Sequence, residues 1–313
     1  MLEAVSAFKA YDIRGIAGVD ITTDFSRRLG SAIVEFTQAT SIAVGRDIRA
    51  SGESLKAALI QGIVESGCTV MDLGIVPTGV VYRSTVDMDV DSAIAITASH
   101  NPPEYNGFKI MHEGLPVAGG DLQRLKAIFE SPSQGKSNSP GTILSKSEYH
   151  HTVIDAIVQD VGPLSRRVRV AVDSANAVPG PFMVELCDKL GVDLVDLNCS
   201  WDHESPAHPA DPTRPENMTQ LSDLVANSDC EFGIGVDGDG DRIGVVDENG
   251  DFIHPDRLIG IFANDVLADR KGDSSEEVRT ILFDVKCSMG IQQAIEASGG
   301  IPKMVRTGHS FMK

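Results

Sequence analysis

Three carboxylates stand at alternate positions between two apolar runs. Asp237, Asp239 and Asp241 are separated by single glycines, and the apolar runs occupy 232–236 and 243–246. Alternate residues of an extended segment project to the same side, so the three carboxylates can converge on one point. An all-oxygen ligand set suits Mg²⁺, Mn²⁺ or Ca²⁺ better than Zn²⁺. The pattern predicts a metal-binding loop between two buried strands; a solvent-exposed acidic turn would have polar flanks.

A serine follows a second predicted strand. Residues 92–96 (SAIAI) are typical of a small buried strand, and Ser99 lies just beyond it. Pro102 and Pro103 restrict the backbone that follows. Taken alone, this segment fits a nucleophile and a capped turn equally well. The absence of a Gly-x-Ser-x-Gly pattern disfavours acyl transfer, and a serine combined with three carboxylates predicts phosphoryl transfer with the help of a cation.

The charge and the cysteines narrow the class of protein. The 313 residues are enough for about two ordinary domains. A net charge of −18 argues against a nucleic-acid surface and against an anionic membrane, so we expect neither partner. The five cysteines are scattered and lack Cys-x-x-Cys spacing. They are typical of the reduced thiols of a cytoplasmic protein.

The order of strand and helix patterns predicts an α/β fold with serial domains. The best linker candidate is the Ser/Pro/Gly-rich stretch 131–147. Domain I, over 1–140, would carry the serine, and domain II, over 148–254, would carry the metal-binding loop. A partial domain III would occupy 255–313.

Hydrophobic periodicity and caps predict the individual elements. Ser51 is the candidate N-cap of the predicted helix 53–66. The predicted strands are 42–44, 92–96, 167–173, 192–197, 278–285 and 302–305. The predicted helices are 53–66, 120–129, 149–161, 181–190, 255–267 and 289–297.

Six segments resemble motifs of the α-D-phosphohexomutases, in the order that this family has them. They are 11–15 (YDIRG), 44–49 (VGRDIR), 97–102 (TASHNP), 105–110 (YNGFKI), 237–242 (DGDGDR) and 307–310 (TGHS). The chain most resembles the bacterial phosphomannomutase/phosphoglucomutase type. The resemblance implies phosphoglucomutase-like α/β domains with mixed sheets and an incomplete third domain, because the family continues beyond the point that corresponds to Lys313. We therefore expect a fragment or an incomplete record of a longer protein.

The resemblance also implies a chemistry. A Mg²⁺-dependent mutase would interconvert the 1- and 6-phosphates of mannose or glucose through a phosphoserine and a bisphosphorylated sugar. Ser99 would carry the phosphoryl group, His100 would assist proton transfer or orient the loop, and Lys109 would be the general acid or base, a role that favours a depressed pKa. The ligands of a single Mg²⁺ would be Ser99, Asp237, Asp239 and Asp241.

Further expectations concern the substrate and the assembly. The resemblance implies a glucose 1,6-bisphosphate-type activator and a monomeric full-length protein. Arg46 and Arg49 are expected to form local ion pairs with Asp47 or Glu53 and are not placed in the site. The implied substrate contacts are Tyr11, Arg14, Arg242, Lys286 and His309.

Three alternatives remain open. The substrate could be a glucosamine phosphate, as in phosphoglucosamine mutase. The chain could be a non-catalytic remnant that only binds metal and phosphate. It could also act as a phosphatase, if water reaches the phosphoserine. Because the distal sugar-binding parts of the family are absent, we expect residues 1–313 alone to have weak mutase turnover or none.

Overall fold

The computed structural model describes residues 4–9, 12–131, 137–270, 272, 275–308 and 312. These residues form α/β units around a seven-stranded, a five-stranded and a two-stranded sheet. The predicted α/β class with mixed sheets is confirmed. In the described part of the chain, no helix combines the length and the apolar character needed to span a membrane.

The first unit is built on a mixed sheet. Its strands are β1 (Ile13–Ile16), β2 (Ser41–Arg46), β3 (Thr69–Ile75), β4 (Ser92–Ile96), β5 (Tyr105–His112), β6 (Leu115–Pro116) and β7 (Ile143–Ser145). Its helices are α1 (Thr23–Thr37), α2 (Gly52–Glu65), α3 (Thr78–Asp87) and α4 (Gly119–Glu130). The strand order is β1-β5-β4-β2-β3-β7, with β6 paired to β5. Strands β2, β3, β4 and β7 are parallel, and β5 runs antiparallel to β1 and β4.

Residue size alternates across the central strand β4. Ile94 and Ile96 belong to the core that α1, α2 and α4 form on one face of the sheet. Ala93 and Ala95 belong to the core on the other face, where α3 packs together with residues of the next helix along the chain. Successive strand residues point to opposite faces, so this short apolar strand is buried on both sides. Its carboxyl end leads directly to Ser99.

The second unit carries a five-stranded sheet. Its strands are β8 (Arg169–Asp173), β9 (Asp193–Leu197), β10 (Phe232–Val236), β11 (Ile243–Val246) and β12 (Phe252–Ile253). Its helices are α5 (Tyr149–Val161), α6 (Pro179–Leu190) and α7 (Thr219–Ala226). The strand order is β12-β11-β10-β8-β9. Strands β8, β9 and β10 are parallel, and β11 runs antiparallel to β10 and β12. The two strands predicted on either side of the three aspartates are β10 and β11.

The third unit pairs two parallel strands and packs helices on them. Its predicted first strand was placed too early, because residues 276–279 form a short helix that begins after the capping side chain of Ser275. The strands are β13 (Thr280–Asp284) and β14 (Ile301–Val305). The helices are α8 (Pro255–Asp269), α9 (Glu276–Arg279) and α10 (Met289–Ala297).

Two local predictions need correction. The predicted linker contains β7, which lies beyond residue 140 and adds a parallel edge strand to the first sheet beside β3. Ser51 occupies the N-cap position of α2, but its side chain makes no capping hydrogen bond. Instead, Ser51 Oγ accepts a hydrogen bond from Asn106 Nδ2 at 2.9 Å. A tertiary contact to β5 has replaced the local one.

Candidate active site

The serine loop, residues 97–103, presents its nucleophile in a left-handed turn. Ser99 has a φ of 54° and is buried. Its backbone N–H donates to Thr97 Oγ1 at 2.9 Å. Its hydroxyl donates to Asp237 Oδ2 at 2.7 Å and lies 3.1 Å from His100 Nδ1. Adjacent side chains diverge in extended backbone, but Ser99 is not extended, and His100 therefore reaches the hydroxyl.

Arg49 holds the serine loop from the turn before α2. Its guanidinium donates to the carbonyl oxygens of Ser99 and Asn101 at 2.8 and 2.6 Å. It also donates to those of Pro102 and Tyr105 at 2.6 and 2.9 Å. The sequence predicted the Arg49–Asp47 ion pair, which has a length of 3.2 Å. It missed the four carbonyl contacts, because no local pattern links a turn to a loop fifty residues away.

The metal loop, residues 237–242, brings its three carboxylates together as predicted. Oxygens of Asp237, Asp239 and Asp241 lie within 4.8 Å of one another. Asp237 and Asp239 are fully buried. Burial, together with repulsion from the other two carboxylates, raises the pKa of Asp237 well above its ordinary value.

Lys109 on β5 neutralises two of these carboxylates. Its ammonium lies 2.6 Å from Asp239 Oδ2 and 2.8 Å from Asp241 Oδ2. Burial alone would lower the pKa of Lys109, but the two carboxylates outweigh burial, and the net effect raises that pKa. The direction is opposite to the depressed pKa that favours a general base. Burial acts to raise the pKa of Asp239, yet Lys109 and hydrogen bonds hold it below the usual range.

Thr78, at the start of α3, is a second contact that the sequence did not reveal. Its hydroxyl donates to Asp239 Oδ2 at 2.6 Å, and its backbone N–H donates to the Asp239 carbonyl at 2.9 Å. Thr78 follows the carboxyl end of the parallel strand β3, which is where α/β folds place functional groups. That position is the only signal that could have identified it.

The donor set fits a hard divalent cation. Within the described residues, Asp239 Oδ1 is buried without a hydrogen-bond partner, although buried carboxylate oxygens are normally paired. The neighbouring candidate metal ligands are oxygens of Asp237, Asp241 and Ser99, and Mg²⁺ and Ca²⁺ prefer an all-oxygen set of ligands. Asp237, Asp239 and Asp241 could hold the cation, and Ser99 stays a predicted fourth ligand.

A second group of metal-ligand side chains lies away from the serine. His150 and His151 on α5 approach Glu185 on α6. His151 already faces Glu185 and Glu148, and the Lys189 ammonium lies 3.1 Å from Glu185. The carboxylate charge is balanced by these partners, so this group differs from the metal loop, in which one buried oxygen has no partner.

The five predicted substrate contacts differ in their distance from the serine loop and the metal loop. Arg14 donates to Asn101 Oδ1 at 3.1 Å and thus reaches the serine loop. Its guanidinium also pairs with Asp12, which precedes β1. Arg242 lies 4.0 Å from Asp237 Oδ2 and is partly exposed. Lys286 is exposed after β13, and no described hydrogen bond or ion pair joins it to the serine or the aspartates. Tyr11 and His309 lie outside the described residues.

A cleft of about 450 Å³ opens beside Ser99 between the first and second units. His100 and Asn101 line one side, and Asn176 and His208 line the other. Burial and the positive charge of Arg242 lower the pKa of His100, which favours its neutral imidazole. His208 Nε2 lies 2.9 Å from Asp173 Oδ2, and this hydrogen bond raises the pKa of His208.

Comparison with known families identifies the chain. Models of the phosphoglucomutase/phosphomannomutase α/β/α domains I, II and III match residues 5–136, 148–250 and 254–313. The chain belongs to the phosphoglucomutase/phosphomannomutase family. The resemblance seen in the sequence is thereby confirmed.

Individual members of the phosphoglucomutase/phosphomannomutase family agree along nearly the whole chain. The phosphoglucomutase of Neisseria meningitidis serogroup A is 38% identical over 312 residues. The phosphomannomutase/phosphoglucomutase of Pseudomonas aeruginosa PAO1 is also 38% identical over 312 residues. Each alignment covers 98% of this chain but 65% of the relative, so the chain spans about two thirds of their length.

Solved structures in the phosphoglucomutase/phosphomannomutase family share the architecture. A family protein from Burkholderia thailandensis is 36% identical with a TM-score of 0.89, covering 98% of this chain and 67% of that one. A protein from Thermus thermophilus described as a phosphomannomutase is 21% identical with a TM-score of 0.79, covering 96% of this chain and 69% of that one. At 21% identity, the similarity to the Thermus thermophilus protein supports only the fold.

Proposed function

We propose that the chain carries the phosphoryl-transfer centre of a phosphohexomutase that interconverts the 1- and 6-phosphates of glucose and mannose. The observation that carries the proposal is the Ser99 hydroxyl, 2.7 Å from Asp237 within the three-carboxylate metal loop. A hydroxyl is a weak nucleophile unless a base or a cation assists it. This hydroxyl has candidates for both within reach.

The transfer from a bisphosphorylated sugar begins at Ser99. Ser99 Oγ bonds to phosphorus while the bond between phosphorus and the sugar oxygen breaks. The hydroxyl proton faces Asp237 Oδ2 at 2.7 Å, and turning the O–H toward His100 Nδ1, at 3.1 Å, would let the neutral imidazole take the proton. We assign the return of a proton to the sugar oxygen to Lys109, which its carboxylate partners keep protonated. The reverse step returns the phosphoryl group to the other sugar hydroxyl.

The proposed metal is a single Mg²⁺ held by Asp237, Asp239, Asp241 and an oxygen on Ser99. When bound, it would neutralise charge that develops on the transferring phosphoryl group. Without a cation, repulsion among the three carboxylates is offset, within the described residues, by Lys109 beside Asp239 and Asp241 and by Arg242, 4.0 Å from Asp237. The same loop therefore supplies both the ligands and the hydrogen-bond acceptor that orients Ser99.

Substrate recognition is proposed from charge and position. Arg14 at the serine loop and Arg242 at the metal loop offer guanidinium groups for a sugar phosphate, which they can bind in a bidentate manner. Lys286 and the two residues outside the described structure, Tyr11 and His309, remain predicted contacts from the family resemblance. The glucose 1,6-bisphosphate activator, the three domain boundaries, a monomeric full-length protein and a cytoplasmic location also remain predictions.

The test uses a single turnover, which does not require the sugar to reorient. Protein phosphorylated with glucose 1,6-bisphosphate is freed of sugar and mixed with Mg²⁺ and glucose 1-phosphate, mannose 1-phosphate or glucosamine 1-phosphate. We expect glucose and mannose bisphosphates to form by loss of the protein phosphate. Preferential transfer to glucosamine 1-phosphate would favour a glucosamine-specific mutase. Release of inorganic phosphate only would indicate a phosphatase and overturn the proposal.

A further inference from the structure

The two carboxylate oxygens of Asp239 have different surroundings. Oδ2 accepts hydrogen bonds from Thr78 Oγ1 and Lys109 Nζ, both at 2.6 Å. Oδ1 is buried and has no partner among the described residues. A carboxylate that rotated freely would exchange these environments, so the donors to Oδ2 set the orientation of the carboxylate.

Of the two donors, Thr78 is the shorter and stiffer one. Lys109 reaches Asp239 through a four-carbon side chain and divides its ammonium between Asp239 and Asp241. Thr78 is β-branched and 2% exposed, so its hydroxyl has few alternative positions. Its backbone N–H also binds the Asp239 carbonyl at 2.9 Å. Thr78 thus fixes both the main chain and the side chain of this ligand.

The contact also joins two separate units of the fold. Thr78 begins α3 of the first unit, and Asp239 follows β10 of the second. Partners that hold a metal ligand typically contribute about 10–100-fold to metal affinity, because they orient the ligand before the ion arrives. Here, the orienting group comes from the unit that also supplies the serine.

We propose that Thr78 is a positioning residue of the metal centre, holding Asp239 so that Oδ1 is presented to the cation. The inference rests on the proposed function only in requiring that the metal loop binds a divalent cation. It assigns a role to a residue that touches neither the cation nor the substrate. It also makes the affinity for metal depend on the docking of the first unit against the second.

The test measures metal binding and needs no turnover. Mg²⁺ or Mn²⁺ is titrated into the full chain by calorimetry, for the wild type and for Thr78→Val, Thr78→Ser and Thr78→Ala. Valine keeps the shape and removes the hydroxyl, serine restores the hydroxyl, and alanine removes it without adding bulk. We expect about tenfold or more weaker binding for valine and alanine, and binding close to wild type for serine.

Thr85→Val is the matched control. Thr85 lies on the same helix, and its hydroxyl binds the Tyr82 carbonyl instead of the metal loop, so we expect unchanged metal affinity. Melting curves in EDTA show which variants are folded. If Thr78→Val does not fold, the metal affinity of Thr78→Ala tests the inference. Folded Thr78→Ala with wild-type affinity, or Thr78→Ser as weak as Thr78→Ala, would overturn the inference. Wild-type protein that binds neither ion would instead overturn the proposed function.

Discussion

The three aspartates of the metal loop are not equivalent. Asp237 is oriented by two backbone N–H groups, those of Asp241 and Arg242, on its Oδ1. Asp239 is bound by an ammonium and a hydroxyl. Among the described residues, the ion pair of Asp237 with Arg242 is longer than the two ion pairs of Lys109. Burial and repulsion raise the pKa of Asp237, whereas the pKa of Asp239 is lowered. It follows that neutralising Asp237 and neutralising Asp239 should have different effects on the metal-free protein.

Asp237→Asn should melt at or above the wild-type temperature in EDTA, because the amide removes the buried charge that its neighbours repel. Its amide oxygen can still accept the two backbone hydrogen bonds. Adding Mg²⁺ should raise the melting temperature of the wild type and raise that of the variant much less. Asp155→Asn, at an exposed ion pair with Lys189, is the control and should respond to Mg²⁺ like the wild type. An equal response from Asp237→Asn would remove Asp237 from the ligand set.

His208 should make stability depend on pH. The hydrogen bond to Asp173 raises its pKa in the folded state above the unfolded value of about 6.5. Its contribution is therefore fully present below pH about 6.5 and is lost as pH rises through the folded-state pKa. The difference in unfolding free energy between wild type and His208→Gln should shrink with rising pH. A difference that is constant, or that grows, would contradict the assignment of the Asp173 contact.

The serine loop and the turn before α2 behave as one element. The sequence indicated a stiff loop after β4, because Pro102 and Pro103 restrict its backbone, and it indicated the Arg49–Asp47 ion pair. It could not indicate that Arg49 binds four carbonyls of that loop, since the contact spans about fifty positions and depends on β2 and β4 being neighbours in the sheet. Local patterns predict the strands, but the contact between Arg49 and the serine loop forms only when those strands pair.

Arg49→Lys should destabilise the protein by about 3–5 kcal/mol, because it leaves loop carbonyls without their donors and removes the guanidinium from the buried Asp47, which keeps the backbone N–H of residue 49. A lysine ammonium carries three donors on a single nitrogen and cannot reproduce the planar guanidinium, whose N–H donors have fixed directions. Urea unfolding gives the free energy. Arg124→Lys is the control, since Arg124 is an exposed ion-pair partner of Asp121, and it should change stability by less than about 1 kcal/mol. A similarly small effect of Arg49→Lys would show that the Arg49 contacts with the serine loop contribute little to the free energy of unfolding.

The proposed centre forms where the first two units meet. Ser99, Lys109 and Thr78 come from the first sheet unit, and the carboxylates come from the second. The sequence identified both loops, because each has its own local pattern after an apolar strand. It did not predict the depth of burial of Lys109 or the raised direction of its pKa, since both arise only when the units are docked. The pattern Phe108-Lys109-Ile110 fits a surface lysine equally well.

The docking also depends on Gly238. A Cβ at this position would lie 2.4 Å from the Ser99 carbonyl oxygen, a distance at which the backbone must shift. Gly238→Ala should therefore cost about 1–3 kcal/mol of stability and weaken Mg²⁺ binding by separating the two loops. Gly79→Ala on α3 meets no atom within 4 Å and should be neutral or stabilising. Unfolding curves and Mg²⁺ titrations of both variants test this, and a neutral Gly238→Ala would show that the loops need not approach so closely.

The most direct test asks which residue accepts phosphate and whether it needs the metal loop. Wild-type protein, Ser99→Ala and Asp239→Asn are incubated with glucose 1,6-bisphosphate and Mg²⁺, and then examined by intact mass and peptide mapping. We expect the wild type to gain one phosphoryl group on Ser99, Ser99→Ala to gain none, and Asp239→Asn to be loaded far more slowly. Phosphate on another residue, or equal loading with EDTA in place of Mg²⁺, would contradict a metal-assisted Ser99 phosphoenzyme.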